Sequence, residues 1–493
     1  MDQSSQARFV GFQVRGLVAL LVAVVAACSG GESNIGCGVN GTRTATSVGL
    51  VCAYPVVTGD FRCPASLPNR IDVPRRSVTD PDHALCVANG ITFAQIPEVA
   101  CVGFEARCRS QGQDGGTRDG SVSSDASDGG TAASCSSWSS GVALNQPTSS
   151  QYFGHSLATS ADGTRLVVGD WAGQSDGAVT VFDLVNGSWS SGVRLSRPTV
   201  ADEFGESVSI SADGTRIAVA DDDGDRGTVT IYDFSNGTWS GGTRIQRPAN
   251  VSRFGYRVAL SGSGAELAVG HYEAGAGSVV LYRFTNGTWS AGTVLSTPST
   301  AREFGYSLSI SSDGNWLAVG ATDATAGPNG RDGAVYVYQI RNSLWELQTT
   351  LVANTDAGGN FGESVALSID GTRLVVGGDQ VEVFSRSGQT WSTGIGLMTS
   401  ANAALEGLKV SVSGDGNRVA VGNSEAGNLA GLVVVYSLRN GTWSIEREVS
   451  RINSMIGFGA SVALSDLGAR LFVGTRHVRS SSQGGSVTVF DCL

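Results

Sequence analysis

This chain of 493 residues contains almost no lysine. Lys409 is the only lysine, and the formal net charge is −11 at pH 7. A surface of that sign repels the phosphate backbone of nucleic acids rather than attracting it. Nucleic acid is therefore not an expected partner.

Residues and motifs of catalysis are also sparse. The chain has only four histidines, and they are scattered along it. Nucleophile elbow, phosphate loop and the CxxC spacing of zinc and redox sites are all missing. We therefore expect a non-enzymatic protein without a cofactor. Carboxylates that the fold brings together from distant segments would escape this test, so hydrolysis or lysis of a polysaccharide stays an alternative.

Apolar runs long enough to cross a membrane are missing too, because none approaches the ~20 residues that a membrane helix needs. The apolar run from Leu17 to Ala27 follows Arg8 and Arg15 and stops at Cys28. This layout is typical of an export signal. Export without lipid after cleavage of an ordinary secretory signal is one interpretation.

The other interpretation is a lipoprotein, because Val25, Ala26, Ala27 and Cys28 resemble a bacterial lipobox. The resemblance implies a signal peptide over residues 1–27, lipidation of Cys28 and a lipid-anchored tether over 28–36. It also implies an outer membrane lipoprotein, facing the periplasm or the surface. The lipid would then be the only membrane attachment.

Cysteines other than Cys28 number eight, and in an exported chain they predict disulfides. Six of them define a predicted cysteine-rich module over residues 37–108: Cys37, Cys52, Cys63, Cys86, Cys101 and Cys108. Six cysteines allow 15 pairings, so the sequence leaves the connectivity and fold of the module open. Residues 109–134 are rich in Gly, Ser and Asp, which predicts a flexible linker.

The remainder of the chain repeats with a period of roughly fifty residues, a length typical of propeller blades. Glycine accounts for 68 residues and charged residues for only 16%, which favours short strands and turns over helices. Tryptophans mark the repeat at Trp138, Trp189, Trp239, Trp289, Trp345, Trp391 and Trp443. Phe-Gly pairs mark the same units at Phe153, Phe204, Phe254, Phe304, Phe361 and Phe458, and Glu406-Gly407 stands at the remaining place.

The pattern of residues within each unit predicts a four-stranded antiparallel meander. In the unit starting at Phe304, Asp313-Gly314 predicts a tight two-residue turn between the first two strands. In most other units Asn-Gly precedes the Trp, as at Asn236, and predicts a second turn of that kind. Both turns fall at the same end of the strands. We call that end the turn face and the opposite end the loop face.

The run Phe-Gly-x-Ser-Val/Leu-x-Ile-Ser-x-Asp-Gly, followed by Leu-Ala-Val-Gly-Ala, resembles the bacterial FG-GAP repeat, which is related to the integrin alpha-chain propeller. The resemblance covers residues 135–493 and implies a β-propeller. The pattern of the units independently predicts an all-β fold of seven four-stranded blades.

The last unit stops after its third strand, whereas Trp138 belongs to a fourth strand with no partners before it. We predict that this N-terminal strand completes the seventh blade and removes its open edge. Alignment with an intact blade then places Cys135 and Cys492 around one Asn-Gly turn, within disulfide reach.

The loop face carries the residues with which a binding site could be built. The ligand-binding candidates are Asp170, Trp171, Asp222, Asp223, Asp225, Arg226, His271, Tyr272, Glu273, Asp323, Arg331, Asp332, Arg476, His477 and Arg479. A solvated rim is the alternative for each of them. Calcium is weakly indicated at Asp221, Asp223 and Asp225, which lack the alternate ligand spacing of known calcium loops.

These patterns favour a cell-surface or envelope protein that binds a glycan or protein on its loop face, including adhesion. A structural scaffold in envelope assembly is the other non-enzymatic alternative.

Overall fold

The computed structural model describes residues 42–46, 49–56, 69–73, 82–87, 135, 137–144, 152–171, 177–197, 203–222, 227–248, 251, 253–271, 277–327, 332–354, 359–398, 408–426, 430–450, 457–475 and 484–493. The chain divides into two compact units, Met1–Gly130 and Thr131–Leu493, which are described separately. Among the described residues, no helix is long and apolar enough to span a bilayer.

The described residues of the first unit form an antiparallel sheet of four strands in the order β1-β2-β4-β3. The strands are β1 (Thr42–Thr46), β2 (Gly49–Val56), β3 (Asn69–Val73) and β4 (Asp82–Val87). Cys52 on β2 stands opposite Cys86 on β4 in the register of this sheet. The predicted lipidation site Cys28 and the cysteines Cys37, Cys63, Cys101 and Cys108 lie outside the described residues.

The second unit begins with β5 (Val142–Leu144) and continues as seven antiparallel sheets, the blades. Blade 1 contains β6 (Ser156–Thr159), β7 (Arg165–Asp170), β8 (Ala178–Val185), β9 (Ser188–Trp189) and β10 (Val193–Arg194). Blade 2 contains β11 (Val208–Ile210), β12 (Arg216–Asp221), β13 (Thr228–Ser235), β14 (Thr238–Trp239) and β15 (Thr243–Arg244). Blade 3 contains β16 (Phe254–Leu260), β17 (Glu266–His271), β18 (Ser278–Thr285), β19 (Thr288–Trp289) and β20 (Thr293–Leu295).

The remaining blades have the same layout. Blade 4 contains β21 (Phe304–Ile310), β22 (Trp316–Ala321), β23 (Ala334–Arg341) and β24 (Leu344–Leu351). Blade 5 contains β25 (Ser364–Leu367), β26 (Arg373–Gly377), β27 (Val381–Ser387), β28 (Thr390–Trp391) and β29 (Ile395–Leu397). Blade 6 contains β30 (Leu408–Val412), β31 (Arg418–Asn423), β32 (Leu432–Arg439) and β33 (Thr442–Ser450). Blade 7 contains β34 (Phe458–Leu464), β35 (Arg470–Thr475), β36 (Ser486–Asp491) and β5.

The described part of the second unit is therefore an all-β, seven-bladed propeller, as the sequence predicted. The fourth strand is divided into two short pieces in blades 1, 2, 3 and 5 and is continuous, with a register shift, in blades 4 and 6. Each first strand contacts the first strand of the neighbouring blade, so the first strands line the central channel.

The predicted ring closure is confirmed. Val142 and Leu144 of β5 pair with Val489 and Val487 of β36, which completes blade 7. A disulfide joins Cys135 to Cys492, whose Cα atoms are 5.4 Å apart. The N-terminal strand and the C-terminal strand are thus held together by a ladder and by a covalent bond.

Apolar burial is divided among seven clusters, one at each boundary between blades. The Phe of each described Phe-Gly pair lies in or beside these clusters, with at most 4% of its surface exposed. In blade 1, for example, Phe153 packs edge-to-face on Phe182 at 6.0 Å between ring centres. Each blade supplies one side of two inter-blade clusters. No blade therefore buries both of its apolar faces without both neighbours.

The turn face differs in one respect from the prediction. The Asn-Gly turns are two-residue turns with both residues at positive φ, as at Asn236 (51°) and Gly237 (77°). The Asp-Gly connection, however, is a four-residue turn rather than the predicted two-residue turn. Ser311 donates its N–H to Trp316 O at 2.9 Å, and Gly314 donates to Ser311 O at 2.8 Å.

The Asp carboxylate explains the longer turn. Within four residues it can accept hydrogen bonds from turn groups that a two-residue turn would not place near it. Asp313 Oδ1 accepts the N–H of Asn315 at 2.9 Å and the hydroxyl of Ser311. Such local side-chain hydrogen bonds stabilise a turn in place of ladder bonds. The Ser-x-Asp-Gly pattern of the sequence therefore belongs to one turn, in which the serine takes part.

The repeated Trp has a structural role that its spacing alone did not reveal. In five blades an Arg at the start of the second strand reaches the next blade, where it donates to the carbonyl of the turn Gly and lies over the Trp ring. These pairs are Arg165 with Trp239, Arg216 with Trp289, Arg373 with Trp443, Arg418 with Trp138 and Arg470 with Trp189, at 5.2–5.9 Å from guanidinium carbon to ring centre. The Arg and Trp of the repeat thus fasten successive blades together.

Candidate functional site

The described ligand-binding candidates are less exposed than the sequence suggested. Asp170 and His271 end the second strands of blades 1 and 3 and are only 5% and 7% exposed. His271 Nδ1 lies 3.0 Å from Ser278 Oγ. In blade 4, Asp323 pairs with Arg302 at 3.1 Å, and the main-chain carbonyl of Asp332 accepts the N–H of Phe361. These four residues serve the framework of the loop face.

Other candidates lie outside the described residues and stay predictions: Asp223, Asp225, Arg226, Tyr272, Glu273, Arg331, Arg476, His477 and Arg479. The weak calcium prediction is among them, since only Asp221 of its three residues is described, buried at the end of β12. In the described ranges, no group of three or more His, Cys, Asp or Glu side chains is arranged to hold a metal ion.

Trp171 is the candidate that does form part of a site. Its ring lies 5.2 Å from that of Tyr152 and 5.5 Å from that of His155, centre to centre. Within the described part of the chain, Trp171 Nε1 has no hydrogen-bond acceptor. The Nε1 atom is itself buried, so a half-buried aromatic group of this kind is suited to contact a ligand through the face of its ring.

The residues just after each Phe-Gly pair were not predicted as site residues, yet they converge at the loop-face mouth of the channel. We call them the mouth cluster: His155, Glu206, Tyr256, Arg257, Tyr306, Glu363 and Lys409. They come from blades 1 to 6. They lie at the same mouth because every first strand begins at the loop face. In blades 1, 4 and 7 the following residue is a serine whose hydroxyl donates to the Gly carbonyl of the next blade. Blades 3 and 6 carry Arg257 and Lys409 at that place.

Ion pairs connect the members of the mouth cluster across blade boundaries. Glu206 Oε2 lies 3.2 Å from His155 Nε2, and Glu206 Oε1 accepts from Arg257 Nη1 at 2.9 Å. Lys409 Nζ lies 3.0 Å from Glu363 Oε1. The side chains of Glu206, Arg257 and Lys409 are 10%, 23% and 33% exposed, so the cluster is recessed but reached by water.

The electrostatics of the mouth fix the charge of several of these groups. Burial opposes ionisation of Glu206, but the hydrogen bonds and charges of His155 and Arg257 outweigh it and lower its pKa to about 2. Burial and the nearby charge of Arg257 lower the pKa of Lys409 despite its pairing with Glu363. The Glu206 carboxylate is therefore ionised at any physiological pH.

Asp222, the residue that follows β12, has the opposite behaviour. Burial, followed by repulsion from Glu203, raises its pKa to about 7, although the charge of Arg253 opposes the rise. None of the described residues donates a hydrogen bond to Asp222 Oδ1. The pKa values of two carboxyl groups on the loop face of one blade are thus shifted in opposite directions, down for Glu206 and up for Asp222.

We expect Asp222→Asn to stabilise the protein above pH 7. A carboxyl pKa raised from 3.8 to about 7 in the folded state means that the folded state binds the proton more tightly. Its contribution to stability is full below pH 4 and is lost as the pH rises through 7. The gain at pH 8 should be about 1–2 kcal/mol after allowance for solvent screening. Urea unfolding at pH 5 and pH 8 tests this, and an equal effect at both values would contradict it.

The turn-face mouth of the channel has a different character. Seven main-chain hydrogen bonds of 2.7–3.0 Å, one across each blade boundary, tie the inner turns into a closed ring. Its residues are mostly small: Ala161, Ala212, Gly262, Ser312, Asp313, Ile369, Gly414 and Asp466. The aromatic platform, which consists of Tyr152, His155 and Trp171, and the ion pairs thus lie at the loop-face mouth. The main chain frames the turn-face mouth.

Comparisons with known proteins bear on the fold. No protein-family model matches the chain. No curated protein matches it in sequence. The solved β-propeller domain of Cps50 (Swd1) from Myceliophteria thermophila is 16% identical, with 72% of this chain and 99% of that one covered and a TM-score of 0.51.

Two further solved structures are similar. The WD40 repeats of RRP9 are 13% identical, with 72% of this chain and 97% of that one covered and a TM-score of 0.49. Hydrazine synthase from Kuenenia stuttgartiensis is 14% identical, with 67% and 95% covered and a TM-score of 0.47. The likeness to the Cps50 domain shows the β-propeller fold and nothing about the ligand.

Proposed function

We propose that this protein is a non-enzymatic binding module of the cell envelope, whose loop face takes a glycan or a protein ligand. The asymmetry of the channel carries the proposal. Aromatic and charged side chains from six blades meet at the loop-face mouth, whereas the turn-face mouth is framed by main chain and mostly small side chains. A propeller ring is a rigid support for such a site and fits a binding or scaffold role.

The mouth supplies two kinds of contact. Trp171, Tyr152 and His155 offer aromatic faces on which sugar rings or apolar side chains can stack. Arg257 and Lys409 offer donors, and Glu206 and Glu363 offer acceptors, held in place by their own ion pairs. Preorganised polar groups beside an aromatic platform are what a selective binding site uses.

The cellular setting of the proposal comes from the sequence. The Val25–Cys28 lipobox resemblance supports an exported lipoprotein of the outer membrane. The FG-GAP resemblance supports kinship with integrin-type propellers and, by analogy, adhesion. The ring is entered at Cys135, on the turn face, at the opposite end of the strands from the loop face.

Trp171→Ala tests the proposal. We expect it to weaken ligand binding by up to about tenfold, since one stacked aromatic ring contributes about 0.5–1.5 kcal/mol beyond the area that it buries. The ligand is first identified by screening the full-length protein against arrays of neutral and acidic oligosaccharides and purified envelope proteins, with a saturable rise in thermal midpoint as the criterion.

Trp345→Ala is the matched control, because Trp345 lies on the outer strand of blade 4, away from the mouth. Its ligand affinity should stay within twofold of the wild type. Equal weakening by both Trp substitutions would place the site elsewhere. Saturable binding to no probe in either array would remove the support for a binding module and favour a structural scaffold.

Polysaccharide hydrolysis is a second candidate function, favoured by Asp222 and Glu206. A carboxyl group with a pKa of about 7, within the electrostatic influence of a carboxylate that stays ionised, offers the acid and the base that cleavage of a glycosidic bond requires. Release of reducing ends from a bound polysaccharide, abolished by Asp222→Asn without loss of binding, would establish it. Binding without turnover in the wild type would exclude it for that polysaccharide.

A further inference from the structure

Four outer hairpin turns of the ring consist of the same two residues. In blades 1, 2, 3 and 6, an Asn followed by a Gly connects the third strand to the segment that carries the repeated Trp. The pairs begin at Asn186, Asn236, Asn286 and Asn440. All four asparagines and the glycines that follow them are exposed. The outer rim of the turn face thus presents one dipeptide four times.

The main-chain nitrogen of each turn glycine lies outside the ladder. In blade 2, Ser235 and Thr238 form the last pair of the ladder, so Asn236 and Gly237 lie beyond it. The other three turns have the same register. In the described part of the ring, no hydrogen bond engages the N–H of these four glycines. Apart from their chain neighbours, no atom lies within 4 Å of the place where a Cβ would stand on them.

An asparagine followed by a glycine can lose its side-chain amide without an enzyme. The main-chain nitrogen of the following residue loses its proton and attacks the Cγ carbonyl carbon of the asparagine, ammonia leaves, and a five-membered succinimide ring forms. Water then opens the ring at one of its two carbonyl carbons, which gives aspartate or isoaspartate. Glycine favours the attack because it has no Cβ to crowd the nitrogen. Asparagine is accordingly one of the thermolabile residues that proteins of hyperthermophiles contain less often.

Blade 4 contains the same turn with a different second residue. Its residues Asn342 and Ser343 have φ angles of 49° and 66°, against 51° and 77° at Asn236 and Gly237. Both are exposed, and the ladder ends directly before and after them. The main difference at the attacking nitrogen is therefore the Cβ of Ser343. The chain thus holds its own comparison for the reactivity of the Asn-Gly turns.

The reaction would change the contacts between blades. In isoaspartate the main chain runs through the side-chain carbons, which lengthens it by one atom, and a two-residue turn of that length no longer matches the ladder pair that closes it. In blade 2 this ladder positions Trp239, which packs on Phe234 at 5.0 Å between ring centres and lies under Arg165 of blade 1. The Trp residues that follow the other three turns have the same kind of Arg contact: Trp189, Trp289 and Trp443.

We propose that the four Asn-Gly turns are sites of spontaneous deamidation, which converts them to aspartate and isoaspartate and loosens the Arg–Trp contacts between blades as the protein ages. Water is the only co-reactant, and ammonia is released. Each conversion adds one negative charge to a protein whose formal net charge is already −11. These sites share no residue with the mouth cluster, so the proposal does not depend on the function proposed for the mouth.

The test is incubation of the full-length protein at pH 6 and pH 9, followed by digestion at low pH and peptide mass spectrometry. We expect the peptides that hold the four Asn-Gly pairs to gain one mass unit at least fivefold faster than the peptide that holds Asn342. The gain should be faster at pH 9, because the attacking nitrogen must first lose its proton. Enzymatic methylation of isoaspartyl carboxyl groups should detect isoaspartate in the same peptides.

Gly237→Ser with Gly287→Ser is the matched variant, because it gives blades 2 and 3 the Asn-Ser turn that blade 4 already has. The mass gain at Asn236 and Asn286 should then slow to the rate at Asn342. During incubation at pH 9, the thermal midpoint of the wild type should fall, and that of the variant should fall less. Each protein is compared with its own midpoint before incubation, so an initial difference in stability does not affect the result.

Three outcomes would overturn the proposal. The first is a mass gain at the four Asn-Gly pairs that is no faster than the gain at Asn342. The second is a gain in the urea-unfolded protein but not in the folded one, which would mean that the two-residue turn protects the pair. The third is conversion of the turns with an unchanged thermal midpoint, which would mean that the product leaves the contacts between blades intact.

Discussion

Replacing both Cys135 and Cys492 by serine should lower the free energy of unfolding of the ring by about 5 kcal/mol, the value that the chain-entropy model gives for a loop of several hundred residues. The bond joins cysteines 357 positions apart and closes nearly the whole second unit into one loop. Without it, the unfolded ensemble gains the freedom of that loop, while β5 retains only three residues of pairing with β36. Urea unfolding followed by tryptophan fluorescence measures the effect.

The double serine variant is preferable to a reducing agent, which would also reach the cysteines predicted in residues 37–108. A variant with Cys52→Ser and Cys86→Ser is the control, because both residues belong to the first unit. It should leave the unfolding midpoint of the ring unchanged. A loss of less than about 1 kcal/mol in the Cys135 and Cys492 variant would show that the β5 ladder and the interface of blades 7 and 1 suffice for closure.

Arg418→Ala should destabilise the ring by about 3–5 kcal/mol, the usual result of removing one partner from a buried ion pair. Arg418 and Glu446 are 2% and 6% exposed, and Arg418 Nε lies 3.1 Å from Glu446 Oε2. Glu446 also accepts from Trp138 Nε1 at 2.8 Å, and Arg418 donates to Gly468 O at 2.9 Å. The substitution leaves a carboxylate buried without its cation and loosens blade 6 from the strand that closes blade 7.

Arg439→Ala is the control, since Arg439 lies exposed at the end of β32, and it should change stability by less than about 0.5 kcal/mol. The double substitution Arg418→Ala with Glu446→Ala separates the causes. If the stranded charge dominates, the double variant should be less destabilised than the sum of the two single variants. Strict additivity would mean that lost packing on Trp138 is the main effect.

The parts of the fold that the sequence predicted are those in which one residue type has one structural task in every blade. Phe254 fills an inter-blade core, and Trp239 lies over the Arg of the preceding blade. Such residues recur at intervals of roughly fifty residues and so locate the blades. The same alignment predicted the closure of blade 7 and the Cys135–Cys492 bond, because a missing strand and an extra strand were both visible.

The candidate site was predicted less well, because it is made of residues that differ from blade to blade. Glu206, Arg257 and Lys409 stand at positions where the residue type differs between blades, although the neighbouring positions repeat. Only the closed ring brings these side chains together. A signal was present in the sequence: Arg257 and Lys409 replace the Ser that follows Phe-Gly-x in the other Phe-Gly units, and Lys409 is the only lysine. Conversely, Asp170 and His271 were predicted as loop residues because the strand ends extend further than the alternation showed.

The closure of blade 7 has a consequence for how the ring is made. Protein synthesis produces β5 before any other strand of the ring, yet its partner β36 is produced last. Until then β5 has no ladder to join, and the growing array of blades exposes an unpaired edge at which another chain can dock. Closing the ring therefore requires the contact of greatest sequence separation among the described strands, a slow kind of step. A chain cut anywhere before Ser486 lacks β36 and therefore retains both open ends, one at β5 and one at the last complete blade.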